Sequence, residues 1–127
     1  MSHLTFNRAN EELTLTTQAG SSSFKSANNV DPRSKGIWPN GEYQFAYRIE
    51  HPGDMPSSAY GSHGIFIFEV PNREGMGVHS GREGVKDGFG KSGFEHCTMG
   101  CIRTTDEAMA QLVRTHALDP IASITVQ

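Results

Sequence analysis

Two side chains in the second half of the chain have the chemistry of a catalytic pair: the thiol of Cys101 and the imidazole of His79, 22 positions earlier. A cysteine attacks a carbonyl carbon as the thiolate, and a nearby imidazole or backbone amides aimed at the sulfur usually deprotonate it near neutral pH. Gly100 has no Cβ, so a substrate carbonyl can approach the backbone there, and neighbouring amide N–H groups can stabilise a tetrahedral oxyanion. These residue types and their spacing predict that Cys101 is a nucleophile.

A metal site is a second chemistry for the same region, because four residues of metal-ligating type lie in it: His79, His96, Cys97 and Cys101. Zinc sites usually contain tight pairs, such as two cysteines separated by two residues, and that spacing does not occur here. His96 and Cys97 are adjacent in sequence and would point to opposite sides of an extended backbone. We therefore expect neither a metal nor any other cofactor.

The composition excludes several classes of function. A chain of 127 residues has the length of one domain, and we predict a single domain over residues 1–127. The formal net charge is -3 and no basic run occurs, which argues against nucleic-acid binding. No segment approaches the roughly 18 apolar residues of a membrane span, and no signal peptide is recognisable, so we predict no membrane insertion. Both cysteines are expected to be reduced.

Alternation of apolar and polar residues, together with 14 glycines, predicts a mainly β protein. The predicted strands are 4–7, 13–17, 42–49, 65–70, 76–79 and 123–126. The first two are expected to pair as a hairpin. The aromatic residues of 42–49 are expected to share one face with Ile49, and the apolar run 65–70 is expected to be a central strand buried on both sides.

The segments between the strands contain two loops and one helix. Residues 18–40 are rich in Gly, Ser, Asn and Pro and predict a long loop, either a wall or lid over a cleft or a segment that contains a short strand. Residues 80–93 predict a glycine-rich loop that follows His79. One clear helix is predicted after Cys101, because Thr104 with Glu107 three positions later forms a capping box before apolar residues at helical spacing. The candidate pair is thus expected on loops held by a sheet.

Three segments, in this order, resemble the catalytic domain of the L,D-transpeptidases (the YkuD-like domain), cysteine enzymes that cross-link bacterial cell-wall peptides. Residues 37–43, I-W-P-N-G-E-Y, are similar to the family's Pro-x-Gly-x-Tyr/Phe segment. His79-Ser80 matches its His followed by Ser or Gly. Residues 98–103, T-M-G-C-I-R, are similar to its Ser/Thr-His-Gly-Cys-Ile/Val-Arg/Asn signature. The resemblance covers most of the chain and implies a mainly β, β-sandwich-like fold with one helix after the cysteine.

The resemblance also implies a role for each matching residue. Cys101 is expected to be the nucleophile, and His79 the base that takes its proton. The Ser80 backbone carbonyl is expected to orient the imidazole ring. The backbone amides of Gly100 and Cys101 are expected to form the oxyanion hole.

Three further residues are candidates for substrate binding. Arg103 and Tyr60 are expected to meet the substrate carboxylate or the oxyanion. The chain diverges from the signature at Met99, where many members have a second histidine, and a thioether cannot donate a hydrogen bond. His96 is the candidate to replace that histidine, and we assign no role to Met99.

The function that the resemblance implies is cysteine-dependent acyl transfer on peptidoglycan stem peptides through a thioester. An amine acceptor would give a cross-link or an exchanged D-amino acid, and water would make the protein an L,D-carboxypeptidase. Action in the periplasm or cell wall would require delivery by a route other than a signal peptide. Release from a longer exported protein and injection as an antibacterial effector, with an immunity protein as partner, both fit. The alternative is a catalytically inactive module on the same fold that binds the cell wall or a partner.

Overall fold

Eight β-strands close into a barrel in the computed structural model, which describes residues 1–50 and 57–127. The strands are β1 (Ser2–Asn7), β2 (Glu12–Thr17), β3 (Gly20–Ala27), β4 (Gly41–Ile49), β5 (Ile65–Phe68), β6 (Gly77–His79), β7 (Ile102–Thr104) and β8 (Ile121–Val126). The helices are α1 (Ser57–Tyr60) and α2 (Asp106–Leu118), and Gly93–Glu95 forms a 3-10 turn. The order around the barrel is β1-β2-β3-β7-β6-β5-β4-β8. The predicted mainly β fold with one clear helix after Cys101 is confirmed.

The predicted hairpin between β1 and β2 is present, and a third strand extends it. β1 and β2 pair antiparallel from His3–Thr16 to Asn7–Glu12. β3 pairs with β2 on one side and with β7 on the other, so the region predicted as a long loop contains an eight-residue strand. The run of serines in β3 gives no alternation of apolar and polar residues, and backbone pairing with both neighbouring strands makes this segment a strand.

The aromatic residues of β4 do not share one face, which corrects the expectation from alternation. The register of β4 against β5 shifts between Phe45 and Tyr47, as in a β-bulge. Tyr43 is 9% exposed, whereas Tyr47 is 52% exposed. An extra residue in one strand reverses the face on which every later side chain lies, and a bulge of this kind cannot be read from polarity alternation alone.

The core lies inside the barrel and under α2. All four residues of β5 are buried, as predicted for a central strand. Trp38 is fully buried, with ring centroids 6.0 Å from Tyr43 and 6.2 Å from Phe68. α2 contributes Met109 and Leu112, both fully buried, to the same cluster. Neither helix in the described ranges has the length and hydropathy of a membrane span.

The beginning of α2 lies one residue later than the capping box predicts. Thr104 belongs to β7, and its hydroxyl donates to the Lys25 carbonyl at 2.8 Å. Thr105 is the N-cap, and its side-chain oxygen accepts from the Ala108 N–H at 3.1 Å. Both threonines have the chemistry of a cap, and the pairing of β7 with β3 determines which one takes that place.

Candidate active site

Parallel pairing of β6 with β7 brings the predicted catalytic pair to one edge of the barrel. His79 at the end of β6 lies opposite Arg103 in β7, and Cys101 comes directly before β7. A cavity of about 370 Å³ opens at this edge. Its lining includes every side chain proposed from the sequence for catalysis or substrate contact except Ser80, namely Tyr60, His79, His96, Cys101 and Arg103. Residues 22 positions apart in sequence thus line one cavity because β6 and β7 are adjacent.

The environment of His79 keeps its imidazole neutral. The ring is 2% exposed, and Nδ1 lies 2.7 Å from the Ser80 carbonyl oxygen, which can only accept a hydrogen bond. Nδ1 therefore carries the proton, and Nε2 has the free lone pair. Burial is the main cause that lowers the pKa of His79 to about 4; the Ser80 hydrogen bond acts against it, and the charges of Arg103 and Arg82 add to it. The Tyr60 ring packs on the imidazole, with centroids 4.7 Å apart.

The Cys101 thiol rests in its protonated form. Burial raises the pKa of the thiol, although a Gly77 backbone N–H and the charges of Arg103 and Arg73 act in the opposite direction. The thiol donates to the Gly75 carbonyl, with an Sγ–O distance of 3.5 Å. This differs from the expectation that the surroundings hold the sulfur as a thiolate. With a neutral imidazole in the same cavity, the arrangement can support proton transfer at the moment of attack, without a resting ion pair.

Gly100 fixes the turn that presents Cys101. Its φ is +137°, which strains any residue with a side chain, and a Cβ there would lie 2.5 Å from the Arg73 guanidinium and displace it. The Gly100 N–H donates to the Thr98 hydroxyl oxygen at 3.1 Å, and the Asn28 side-chain amide donates to the Gly100 carbonyl at 2.8 Å. The Gly100 amide expected in an oxyanion hole thus already has an acceptor in this structure, and an incoming oxyanion would have to replace it.

Asn28 is a residue of the site that sequence reasoning missed. It is 6% exposed, and its side-chain nitrogen also donates to the Cys101 carbonyl at 3.0 Å. Its side-chain oxygen accepts from the Trp38 N–H at 2.7 Å. One buried amide therefore ties the turn before the candidate nucleophile to the loop around Trp38. An asparagine in a polar loop carries no signal of such long-range bonds.

Arg103 lies in the cavity wall and holds backbone there. It is 4% exposed, and Nη1 donates to the carbonyls of His96 at 2.6 Å and Cys97 at 3.0 Å. Nη2 donates to the Ala59 carbonyl at 3.1 Å. Burial and, secondly, the charge of Arg82 lower the pKa of Arg103 to about 10. The guanidinium joins the segment before Cys101 to α1 and adds positive charge to the cavity, with most of its donors already engaged.

Ser80 lies behind His79 and is fully buried. Its hydroxyl donates to the carboxylate of Asp106, the first residue of α2. Gly61 closes over this contact, because a Cβ there would lie 2.0 Å from the Ser80 Oγ. Sequence reasoning assigned Asp106 only to the start of the helix. The structure adds a link from α2 to the carbonyl-bearing residue that holds the imidazole.

The four residues of the metal alternative do not form one cluster within the described residues. The potential ligand atoms that do converge, within 4.8 Å of one another, belong to Asp87, His96 and Cys97. The Asp87 carboxylate accepts three backbone N–H groups, from Phe89, Lys91 and Cys97, which lower its pKa to about 2. Asp87 therefore organises the glycine-rich loop. Met99, in place of the signature histidine, is 60% exposed at the rim of the cavity.

No protein-family model matches the chain, and no curated protein matches it. Solved structures do. Bd1075 of Bdellovibrio bacteriovorus has a TM-score of 0.71 at 14% identity, covering 99% of this chain and 47% of that chain. L,D-transpeptidase 1 of Mycobacterium tuberculosis has a TM-score of 0.58 at 11% identity, covering 99% and 60%. The fold is that of the L,D-transpeptidases.

A third structure with this fold is the helical cell shape determining protein Pgp2 of Campylobacter jejuni. Its TM-score is 0.65 at 16% identity, over 99% of this chain and 47% of that chain. The chain therefore spans about half the length of the L,D-transpeptidase-fold structures that it matches. At these identities the likeness concerns the fold, and the chemistry must be argued from the cavity itself.

Proposed function

We propose that this protein is a cysteine acyltransferase of the L,D-transpeptidase type that acts on peptidoglycan stem peptides. One observation carries the proposal: in this fold, a cysteine thiol and a neutral, oriented imidazole line the same cavity. A thiol and a base placed together are the minimum for nucleophilic acyl transfer. The neighbours of the same fold include L,D-transpeptidases, and the substrate class comes from that likeness.

The first half-reaction forms a thioester. His79 Nε2 accepts the proton as the Cys101 sulfur attacks the carbonyl carbon between an L-centre and a D-residue, and the carbonyl electrons move to oxygen. The Cys101 N–H and, after exchange of its present bond, the Gly100 N–H stabilise the oxyanion. The intermediate collapses as the C–N bond breaks. The leaving amine of the D-residue takes the proton from His79.

The second half-reaction releases the acyl group. An amine acceptor or water attacks the thioester carbonyl while His79 Nε2 takes a proton from the attacking group. The C–S bond then breaks, and the sulfur leaves and regains its proton. An amine gives transpeptidation or D-amino-acid exchange, and water gives carboxypeptidase activity. Tyr60, packed on the imidazole, and His96, in the same cavity wall, are the proposed contacts to the substrate.

The place of action follows from the substrate. We propose that residues 1–127 act as one catalytic domain in the periplasm or cell wall. Delivery as an antibacterial effector would require an immunity protein that blocks the cavity in the producing cell. Production of the protein in the periplasm and, separately, in the cytoplasm of a host tests this placement. Wall damage confined to periplasmic production supports it, and damage only on cytoplasmic production contradicts it.

The test of the activity is mass spectrometry of muropeptides after incubation with the protein. Gain of cross-links, exchange of a D-residue and loss of a D-residue have different masses, so the outcome also identifies the acceptor. Cys101→Ala is expected to abolish all three. Cys97→Ala is the matched control, because this second thiol lines the same cavity and should be dispensable. Retained turnover in Cys101→Ala contradicts the proposal.

A binding module without turnover is the second candidate. Met99 in place of the signature histidine and a thiol bonded to Gly75 favour it. Alkylation separates the two functions. A catalytic Cys101 should react with a thiol electrophile faster than Cys97 and faster than the same Cys101 in His79→Gln. Equal rates in the two proteins, together with stem-peptide binding, support the module.

A further inference from the structure

The cavity wall beside His79 carries a guanidinium, that of Arg82, with no hydrogen-bond or ion-pair partner among the described residues. Arg82 lines the cavity, and its Nε is buried with no hydrogen bond. No ion pair within residues 1–50 and 57–127 joins it to a carboxylate. A buried N–H donor without an acceptor costs free energy, on the order of 1–3 kcal/mol. The cost is recovered when a ligand supplies the acceptor.

The other arginines of the cavity are already engaged. Arg33 forms a bidentate pair with Asp31, through Nε–Oδ1 and Nη2–Oδ2 distances of 2.9 Å. Arg103 donates to three backbone carbonyls through Nη1 and Nη2, and only its Nε is buried without a hydrogen bond. Arg103 lines the same cavity as Arg82, and after burial the charge of Arg82 is the second cause that lowers the pKa of Arg103. A bound anion would relieve this repulsion, and Arg82 differs from Arg33 and Arg103 in that its Nη groups make no hydrogen bond to the described residues.

The backbone conformation of Arg82 is a second indication that this residue has a functional role. Its φ is +60°, in the left-handed region that L-residues with side chains rarely adopt. The conformation is held by bonds to its carbonyl from the Gly93 N–H at 2.8 Å and the Val85 N–H at 3.1 Å. A glycine would adopt this conformation without strain. An arginine there, three residues after His79, is an outlier of the kind that clusters at functional sites.

We propose that Arg82 binds the terminal carboxylate of the D-residue that leaves in the first half-reaction. This inference rests on the proposed function. The leaving amine must be near His79, which gives it a proton, and the carboxylate is one carbon from that amine. Arg82 lines the same cavity as His79, close enough for its charge to act on the imidazole. A guanidinium matches a carboxylate with two parallel hydrogen bonds.

This placement makes the protein selective for one end of the stem peptide. A donor whose chain ends at the residue after the scissile bond presents a carboxylate to Arg82. A donor that is amidated there, or continues by another residue, presents a neutral group and leaves the guanidinium unpaired. The released fragment is then a single D-amino acid.

The test compares two synthetic tetrapeptides of one sequence, one with a free C-terminal carboxylate and one with a carboxamide. In the wild-type protein, kcat/KM should favour the acid by roughly 10- to 100-fold, as for a hydrogen bond to a charged group. Arg82→Gln should bring the ratio near one by lowering kcat/KM for the acid alone. Arg33→Gln, in the same cavity but paired internally, should keep the wild-type ratio. If Arg82→Gln lowers kcat/KM by the same factor for both peptides, or lowers neither, the ratio is unchanged and the proposal is overturned.

Calorimetry of both peptides with the Cys101→Ala protein measures the same selectivity as a difference in binding affinity, without turnover. The acid should bind more tightly than the amide, and addition of Arg82→Gln should remove the difference. If the wild type turns over neither peptide but this difference is found, the proposed function fails and the carboxylate site stands. If both peptides bind equally or neither binds, the carboxylate site is overturned. Circular dichroism of Arg82→Gln and Arg82→Lys verifies folding, and Arg82→Lys should retain part of the preference if charge matters.

Discussion

The β1–β2–β8 side of the barrel and the β6–β7 side differ in how they are held. β1 pairs along its length with β2 and with β8, and the side chains it turns inward, Leu4 and Phe6, are fully buried. β6 and β7 have three residues each, and they pair with each other only at Val78–Ile102 and His79–Arg103.

The short strands depend on side chains from elsewhere in the chain. Asn28 and Arg103 bind backbone carbonyls around Cys101, and Asp106 binds Ser80. Regular backbone pairing and apolar burial thus make the scaffold, whereas side-chain-to-backbone bonds shape the cavity. A substitution should accordingly affect stability on one side and chemistry on the other.

The largest effect is expected from Phe6→Ala on the scaffold side. Phe6 is fully buried, and loss of its ring should lower the free energy of unfolding by about 3–5 kcal/mol. Urea denaturation measures this loss. Activity per folded molecule should stay at the wild-type value, since Phe6 does not line the cavity. A fall in kcat/KM of the folded fraction would show that the two sides are coupled.

Acidification should destabilise the site side next. The folded pKa of His79 is about 4, below an ordinary value of 6.5, so its contribution to stability is complete above pH 6.5 and is lost as pH falls toward 4. A shift of this size corresponds to about 3 kcal/mol. Denaturant midpoints between these pH values should fall more steeply in the wild type than in His79→Gln.

The slope that remains in His79→Gln has an identified source. Burial also lowers the pKa of His116, which is unchanged in the variant. Equal slopes in the two proteins would mean that the imidazole of His79 is solvated rather than buried.

Asn28→Ala should affect both stability and chemistry. It leaves the Gly100 carbonyl and the Trp38 N–H without their buried partner, at a cost of about 1–3 kcal/mol in unfolding free energy, while the Cys101 carbonyl keeps its bond from the Thr98 hydroxyl. Because the turn before Cys101 loosens, kcat/KM should fall by more than the loss of folded protein explains. The rate at which Cys101 is alkylated shows whether the turn has loosened. An unchanged rate would assign Asn28 to the scaffold alone.

The smallest effect is expected at the cap of α2. Thr105→Ala removes the acceptor for the Ala108 N–H and should cost about 1 kcal/mol. Thr105→Ser, which keeps the hydroxyl, is the control and should stay near the wild type. Thr104→Ala tests the alternative cap, and its effect should come from the lost bond to Lys25 instead. Thermal unfolding distinguishes the three.

The scaffold was largely predictable from the sequence, because burial on one face imposes alternation. That pattern indicated β1, β2, β4, β5 and the mainly β class. It left a strand within residues 18–40 as one of two alternatives and without bounds, because the serines of β3 hide the alternation, and it missed the bulge in β4, which depends on pairing with β5. The predicted start of α2 differs from the observed one by a single residue, because two adjacent threonines can both act as the N-cap.

The site was predictable only as a set of residue types. Cys101 and His79 stand out because few side chains are nucleophiles or bases. Asn28, Arg82 and Asp106 do not, because their importance comes from contacts with residues far away in sequence, such as the 72 positions between Asn28 and Gly100. The protonated state of Cys101 likewise follows from burial in the folded chain.

Adjacency of β6 and β7 separates the geometry of the pair from the length of the connection between them. The parallel pairing sets the spacing of His79 and Cys101, and the residues that complete the site lie at the two ends of the connection: Ser80 and Arg82 at one end, and His96, Thr98 and Gly100 at the other. The middle of the connection, residues 83–95, contributes no lining residue to the cavity, so insertions there should leave the reaction centre unaltered provided that the bond from the Cys97 N–H to Asp87 is kept.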